Sequence, residues 1–154
     1  PEVQIMLNAS DIMSTNIITV KKETSLKELA QILYEHNING VPVVDDDGRL
    51  IGVICESDLI RRDQKLHIPT VVALFDALFY VESPNWMQKE IQRLGATQVG
   101  DLYTPDPVTV DEKTSIEEIA TLMTRKKVYT LPVMDGSRLV GIIGKADLIR
   151  TLVS

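Results

Sequence analysis

Two aspartates, Asp58 and Asp147, hold the same place in a ten-residue stretch that the chain writes twice. Gly52-Val-Ile-Cys-Glu-Ser-Asp-Leu-Ile-Arg61 returns as Gly141-Ile-Ile-Gly-Lys-Ala-Asp-Leu-Ile-Arg150. Each copy reads as the end of a buried strand running into a helix, with the acid at the junction. A carboxylate in a helix's first turn is held by the positive end of the dipole and by free backbone N–H groups. It stays ionised and can accept two hydrogen bonds side by side, which is what the vicinal hydroxyls of a ribose present. The plainer reading is that each acid only caps its helix. One acid alone favours the cap; the duplication weakens that preference and leaves the rest of the chain to decide.

The elements that must position these acids also occur twice. Ile17–Val20 is β-branched and reads as a strand. Ser25-Leu-Lys-Glu28 is a capping box, and Leu26, Leu29, Ala30 and Leu33 then form one apolar helix face. That helix should end near Asn37–Gly40. Val41–Val44 is a second strand, with Pro42 suited to a start or an edge. Asp45-Asp-Asp-Gly48 is a turn, and Leu50–Ile54 is a third strand buried on both faces. From Asp101 the order recurs: Val108–Val110, the box Ser115-Ile-Glu-Glu118, the face Ile116, Ile119, Ala120 and Met123, then Leu131–Met134 and Leu139–Ile143. Asp11 and Asp101 differ by 90 positions and Asp58 and Asp147 by 89, so the copies keep register apart from one residue in the hairpin turn. The expected fold class is α/β (α+β): two β-α-β-β-α repeats, at 9–62 and 99–152, packed about a pseudo-two-fold axis. Between them, 63–98 reads as a helical inter-repeat segment. Val71, Leu74, Phe75 and Leu78 make one apolar face; Trp86, Met87, Ile91 and Leu94 suggest a second helix.

Composition narrows the function classes. The length of 154 residues and 44% hydrophobic content suit a soluble globular fold with a real core. A net charge of −6 argues against a nucleic-acid partner or an acidic membrane surface. It leaves room for a small anion held by local donors. The longest apolar run, Ile68–Val81, carries Asp76 and is too short to span a bilayer, so no membrane insertion is expected. A lone cysteine, Cys55, rules out an internal disulfide framework. That fact and the lack of a signal-peptide pattern give a cytoplasmic expectation.

In order, spacing and duplication, the motifs resemble tandem CBS domains, the regulatory modules of the cystathionine-β-synthase type. The carrying pieces are Asp11-Ile-Met with Thr19-Val20, Gly40-Val-Pro-Val43, and Gly52-Val-Ile through Asp58-Leu. In the second half they are Asp101-Leu with Thr109-Val110, Thr130-Leu-Pro-Val133, and Gly141-Ile-Ile through Asp147-Leu. The resemblance implies a disc-like unit that commonly pairs into a homodimer, and a protein partner that it regulates. It implies an adenosine-type ligand: AMP, ADP, ATP or S-adenosylmethionine. By analogy Asp58 and Asp147 would hold ribose hydroxyls. Gly40, Val41 and Pro42, and Thr130, Leu131 and Pro132, would line adenine pockets, and residues flanking Thr19 and Thr109 would close them. Gly52 and Gly141 lack side chains where a ligand or a backbone must come close.

The sequence also departs from that pattern. Three residues before each acid the family usually has Ser or Thr; here Cys55 and Gly144 stand there. Losing such a hydrogen bond costs roughly 0.5–3 kcal/mol, enough to weaken a site without abolishing it. Ser57 is a substitute beside Asp58, whereas its counterpart Ala146 is not. Lys145 can meet a phosphate where the first site has Glu56, so two unequal sites are expected. Other chemistries are weaker. Cys55 as a nucleophile would need a base and an electropositive setting, and it ends a buried strand beside Glu56. His36 and His67 have no metal-ligand spacing, and Asp45–Gly48 lacks the spacing of a calcium loop. The basic clusters Lys21-Lys22 and Arg125-Lys126-Lys127 are solvated helix ends or phosphate contacts from a cleft edge. The sequence therefore points to a non-enzymatic adenosine sensor with no catalytic residue, metal or cofactor. Its alternative is a ligand-free dimerisation module of the same fold with degenerate sites.

Overall fold

The computed structural model of the protein describes residues 7–59 and 97–153. The helices read within 63–98 lie outside the described residues. Helix α1 (Ala9–Ile12) leads the first half, followed by α2 (Leu26–Glu35), β1 (Gly40–Val44), β2 (Leu50–Cys55) and α3 (Glu56–Leu59). The second half has a 3-10 turn at Val99–Asp101, β3 (Thr104–Pro105), β4 (Val110–Asp111), α4 (Ile116–Lys126), β5 (Thr130–Asp135), β6 (Arg138–Gly144) and α5 (Lys145–Val153). The strands form two three-stranded sheets, β1-β2-β3 and β4-β5-β6.

Both long helices begin and end as their sequences dictate. The Ser25 hydroxyl accepts from the Glu28 N–H at 3.1 Å, and the Ser115 hydroxyl from the Glu118 N–H at 3.2 Å. Beyond the helix ends, Asn37 (φ 52°) and Lys127 (φ 54°) take the left-handed conformation that stops each helix. Leu26, Leu29, Ala30 and Leu33 of α2 are all buried, as their spacing requires. On α4 the buried pair is Ile119 and Met123. The Asp45 carboxylate accepts from the Asp47 and Arg49 N–H groups, which makes Asp45–Gly48 a turn.

The first strand of each repeat is shorter than its sequence suggests. Ile17–Val20 contributes one bridge, Val20 beside Val43, and Val108–Val110 is replaced by the two-residue β4. Proline explains both. The Val20 N–H donates to the Pro42 carbonyl and the Val44 N–H to the Val20 carbonyl. The next rung back, toward Ile18, would need an N–H from Pro42, which has none. Val110 beside Val133 has the same offset, and there Pro132 withholds the same donor. The strand at Leu50–Ile54 is also only partly enclosed: Gly52–Ile54 are buried, while Leu50 and Ile51 are half-buried.

The opening segment of each half belongs to the opposite core, which the sequence did not reveal. Ala9 is fully buried in a cluster with Val110, Ile119, Met123, Leu131 and Ile143. Val99 and Leu102 are buried with Leu26, Leu29, Leu33 and Ile54. Backbone hydrogen bonds repeat the exchange with a constant offset: Ala9 N–H donates to the Thr114 carbonyl at 2.8 Å, and Val99 N–H to the Thr24 carbonyl at 2.8 Å. Ser10 to Glu112 and Gly100 to Lys22 form the next matched pair. Beyond them Ser14 bridges Ile142 of β6, while β3 pairs with Gly52 and Val53 of β2. These matched contacts are the pseudo-two-fold axis in atomic terms.

The two repeat glycines are what let the crossing segments in. A Cβ on Gly52 would strike the Thr104 carbonyl and the Tyr103 ring; one on Gly141 would strike the Met13 side chain. A backbone carbonyl and a ring have little freedom to move, whereas a methionine can reorient. Gly52→Ala is expected to destabilise the fold by about 1–3 kcal/mol, and Gly141→Ala by less. Urea-unfolding midpoints of the two variants test this; equal or reversed costs would contradict the packing described.

Candidate functional site

Each repeat acid does two jobs with its two oxygens. The Cys55 N–H donates to Asp58 Oδ2 at 2.7 Å, and the Gly144 N–H donates to Asp147 Oδ2 at 2.7 Å. This is the backward half of a capping box: a third-residue carboxylate closing on the residue before the helix. The capping reading therefore holds for one oxygen. Among the described residues, the other oxygen, Oδ1, meets a different donor in each half. For Asp58 it accepts from the Thr104 hydroxyl at 3.0 Å. For Asp147 it is paired with the Arg150 guanidinium. Asp58 is 5% exposed, a deeply enclosed carboxylate, whereas the Asp147 side chain is 15% exposed.

Each acid opens onto a cavity built from both halves. The Asp58 cavity measures ≈ 380 Å³ and is closed by Thr104, Asp106 and Val108 from the second half. The Asp147 cavity measures ≈ 430 Å³ and is closed by Ser14, Ile18 and His36 from the first half. Both volumes lie within the range of small-molecule sites, roughly 300–1,000 Å³. Asn39, Tyr129 and Thr130 line both cavities and form their common wall. The strand exchange is what brings each acid opposite the other half's lead-in segment.

Most of the residues singled out from sequence converge here. Ser57, Asp58 and Thr130 line the Asp58 cavity. Gly40, Val41, Pro42, Thr130, Lys145 and Asp147 line the Asp147 cavity. Four do not converge. Thr19 and Thr109 are exposed and line neither cavity, because alternation along an extended chain turns Ile18 and Val108 inward and the threonines outward. Thr19 instead borders a shallow groove with Gly48 and Arg138, between the two hairpin turns. Leu131 is fully buried in the second core and Pro132 is buried in β5; neither reaches a cavity.

The two halves differ where they meet on the axis. Gly40 faces Thr130, its own repeat partner, and a Cβ on Gly40 would lie 2.6 Å from Cys55 Sγ and 2.8 Å from Thr130 Oγ1. Gly144, the counterpart of Cys55, has room: a Cβ there meets nothing closer than Asp147 Oδ2 at 3.7 Å. The Cys55 thiol is pushed up to about 11, chiefly by burial; a Thr130 hydrogen bond opposes this, and the charges of Asp58 and Glu56 add to it. It is therefore a packed thiol with no thiolate character at neutral pH.

Sequence reasoning missed Thr104, the donor to Asp58, which lies 46 residues away from it. A signal was present. Ser14 and Thr104 both fall three residues after the repeat aspartates Asp11 and Asp101. Tyr129 and Asn39 were also missed. Their carbonyls accept from the Lys145 and Glu56 N–H groups, which ties the shared wall to both helix starts.

Comparison with known proteins agrees with this architecture. The chain is 34% identical over 137 residues to the chloroplastic CBS domain-containing protein CBSX1 of Arabidopsis thaliana. That match covers 85% of this chain but 57% of the relative, so the chain spans less than three fifths of that protein. A structure of CBSX2 in complex with AMP is 32% identical, with a TM-score of 0.67 over 95% of this chain and 96% of that one. The CBS domain pair of protein MJ0100 in complex with 5′-methylthioadenosine and S-adenosylmethionine is 26% identical, with a TM-score of 0.68 over 96% of this chain and 97% of that one. The family model described as CBS domain matches twice, at residues 9–65 and 99–154. Duplicated strand-to-helix acids, exchanged lead-in segments and two matched cavities thus have a common origin: the chain belongs to the CBS domain family, as a tandem pair.

Proposed function

We propose that this CBS pair is a regulatory, non-enzymatic module that senses an adenosine-containing nucleotide or derivative. The observation that carries the reading is the pair of nucleotide-sized cavities, each with a carboxylate anchored through one oxygen to backbone and turned inward with the other. Anchoring fixes the acid before a ligand arrives, which lowers the ordering cost of binding. Oδ1 of a carboxylate has two lone pairs, so it can accept a ribose hydroxyl beside Thr104 or Arg150. That CBSX2 has been seen with AMP, and the MJ0100 pair with an adenosine thioether and an adenosine sulfonium, supports the ligand class. Because each cavity draws walls from both halves, a ligand would bias their relative tilt, and a second copy or a partner protein would read that change.

One observation favours the rival reading of a ligand-free module. The Arg150 guanidinium already occupies Asp147 Oδ1. A melting comparison separates the two. At 100 times its Kd a bound ligand adds about 2.7 kcal/mol, roughly 5–10 °C in a domain of this size. AMP, ATP and S-adenosylmethionine are the compounds to add. The shift is expected in the parent chain and is expected to vanish in Asp58→Asn with Asp147→Asn, which keep the shape of each cap. No shift with any of the three establishes the scaffold reading.

An enzyme built on Cys55 is the remaining rival, and its thiol argues against it. Between about pH 9 and 11 the folded state keeps a thiol proton that the unfolded chain releases, so this group's contribution to stability falls as pH rises through that window. Alkylation of Cys55 by iodoacetamide at pH 8 is expected to be about 100-fold slower than that of a free thiol with the ordinary value, and to keep rising toward pH 11. Fast alkylation near neutral pH would revive a nucleophilic role.

A further inference from the structure

Although the two cavities share a wall and a fold, their charges oppose each other. Among the described residues that line it, the Asp58 cavity has three carboxylates, Glu56, Asp58 and Asp106, and one ammonium, Lys127. The Asp147 cavity has one carboxylate, already paired with Arg150, against the Lys145 ammonium and the His36 imidazole. Pairing between Asp147 and Arg150 leaves Lys145 as the surplus charge. Its Nζ stands 5.2 Å from the centre of the Tyr129 ring, on the wall that the cavities share. The difference is carried by repeat-equivalent positions. Glu56 and Lys145 each open the helix that bears the acid, and their N–H groups donate to the equivalent carbonyls of Asn39 and Tyr129. Together with Asp106, which stands where the first half has Asn16, this swap sets the opposite charge of two cavities with a common frame.

We infer that the two cavities sort adenosine ligands by charge: the Asp147 cavity takes the phosphorylated nucleoside, and the Asp58 cavity takes an uncharged or sulfonium-bearing one. This rests on the adenosine reading above and deepens it. A phosphate at the first site would meet Glu56 and Asp106 as well as the ribose-facing acid, with Lys127 opposing them, whereas at the second it meets the Lys145 ammonium beside an acid already paired with Arg150. A sulfonium reverses both relations. Since Glu56 and Lys145 are exposed, their influence passes through solvent and is screened by salt. The sorting is therefore strong at low ionic strength and weak at high ionic strength. A protein that sorts in this way responds to the ratio of phosphorylated to thioether nucleosides and not to either alone.

Calorimetric titration of the full chain with AMP and with 5′-methylthioadenosine tests the assignment. In 25 mM salt, Asp147→Asn is expected to abolish AMP binding, and Asp58→Asn to abolish 5′-methylthioadenosine binding. Lys145→Glu is expected to lower the AMP-over-thioether preference by about tenfold, falling to about threefold in 500 mM salt. Glu56→Lys is expected to add a second AMP per chain. AMP binding that is lost in Asp58→Asn and kept in Asp147→Asn overturns the assignment. So does a preference unchanged in both charge variants. If both compounds bind both cavities alike, the sorting fails while the adenosine reading stands. If neither compound binds, the sorting falls, and the melting comparison with ATP and S-adenosylmethionine decides the adenosine reading separately.

Discussion

The reciprocal exchange of lead-in segments is the constraint on which this structure depends. Each sheet is extended by residues from the other half: β3 adds a strand beside β2, and Ser14 bridges β6. Neither core is closed without them, since Ala9 fills one and Val99 and Leu102 the other. A small repeat with one half-covered sheet has too little core to be stable alone. Crossing over solves that problem twice with the same hydrogen bonds. It also brings Thr104 and Ser14 beside β2 and β6, toward the ends where the two repeat acids sit.

A symmetric frame with asymmetric contents follows from this. Backbone geometry is held in common: two caps onto Oδ2, two left-handed helix stops, two glycines under the crossing segments. Side chains then differentiate the halves without disturbing it. Thr104 donates to one acid and Arg150 to the other; Glu56 answers Lys145; Asn39 answers Tyr129. Substitutions at such positions change the charge and hydrogen bonding of a cavity wall while the matched main-chain contacts of the frame stay in place. The Cys55 thiol is the counter-example. It is held in place by its neighbours, and its chemistry is silenced by burial.

Much of this was legible in the sequence, and the reasons are local. The capping serines, the apolar faces of α2 and α4 and the Asp-rich turn are specified within a few residues, where spacing alone decides. The duplicated acids were found because a repeat doubles a weak signal. What could not be read was non-local. No periodicity says that Ala9 will be buried against Val110, or that Thr104 will donate to an acid in the other half. The shortened first strands were misjudged for a related reason. Their β-branched composition favours a ladder, but the missing donors belong to Pro42 and Pro132, more than 20 residues downstream. The resemblance pointed to Thr19 and Thr109 and the residues that flank them; alternation along the chain puts the flanking Ile18 and Val108 in the cavity walls and leaves the threonines outside.

The meeting of Gly40 with Thr130 on the axis limits what the duplication can become. Were the first half to associate with a replica of itself, two glycines would confront each other and leave a gap beside two thiols. Were the second half to do so, two threonine hydroxyls would compete for the space that one occupies. Each half is thus shaped to refuse its own twin and accept its sibling. The fit at this point on the axis therefore belongs to the tethered pair and to neither half by itself.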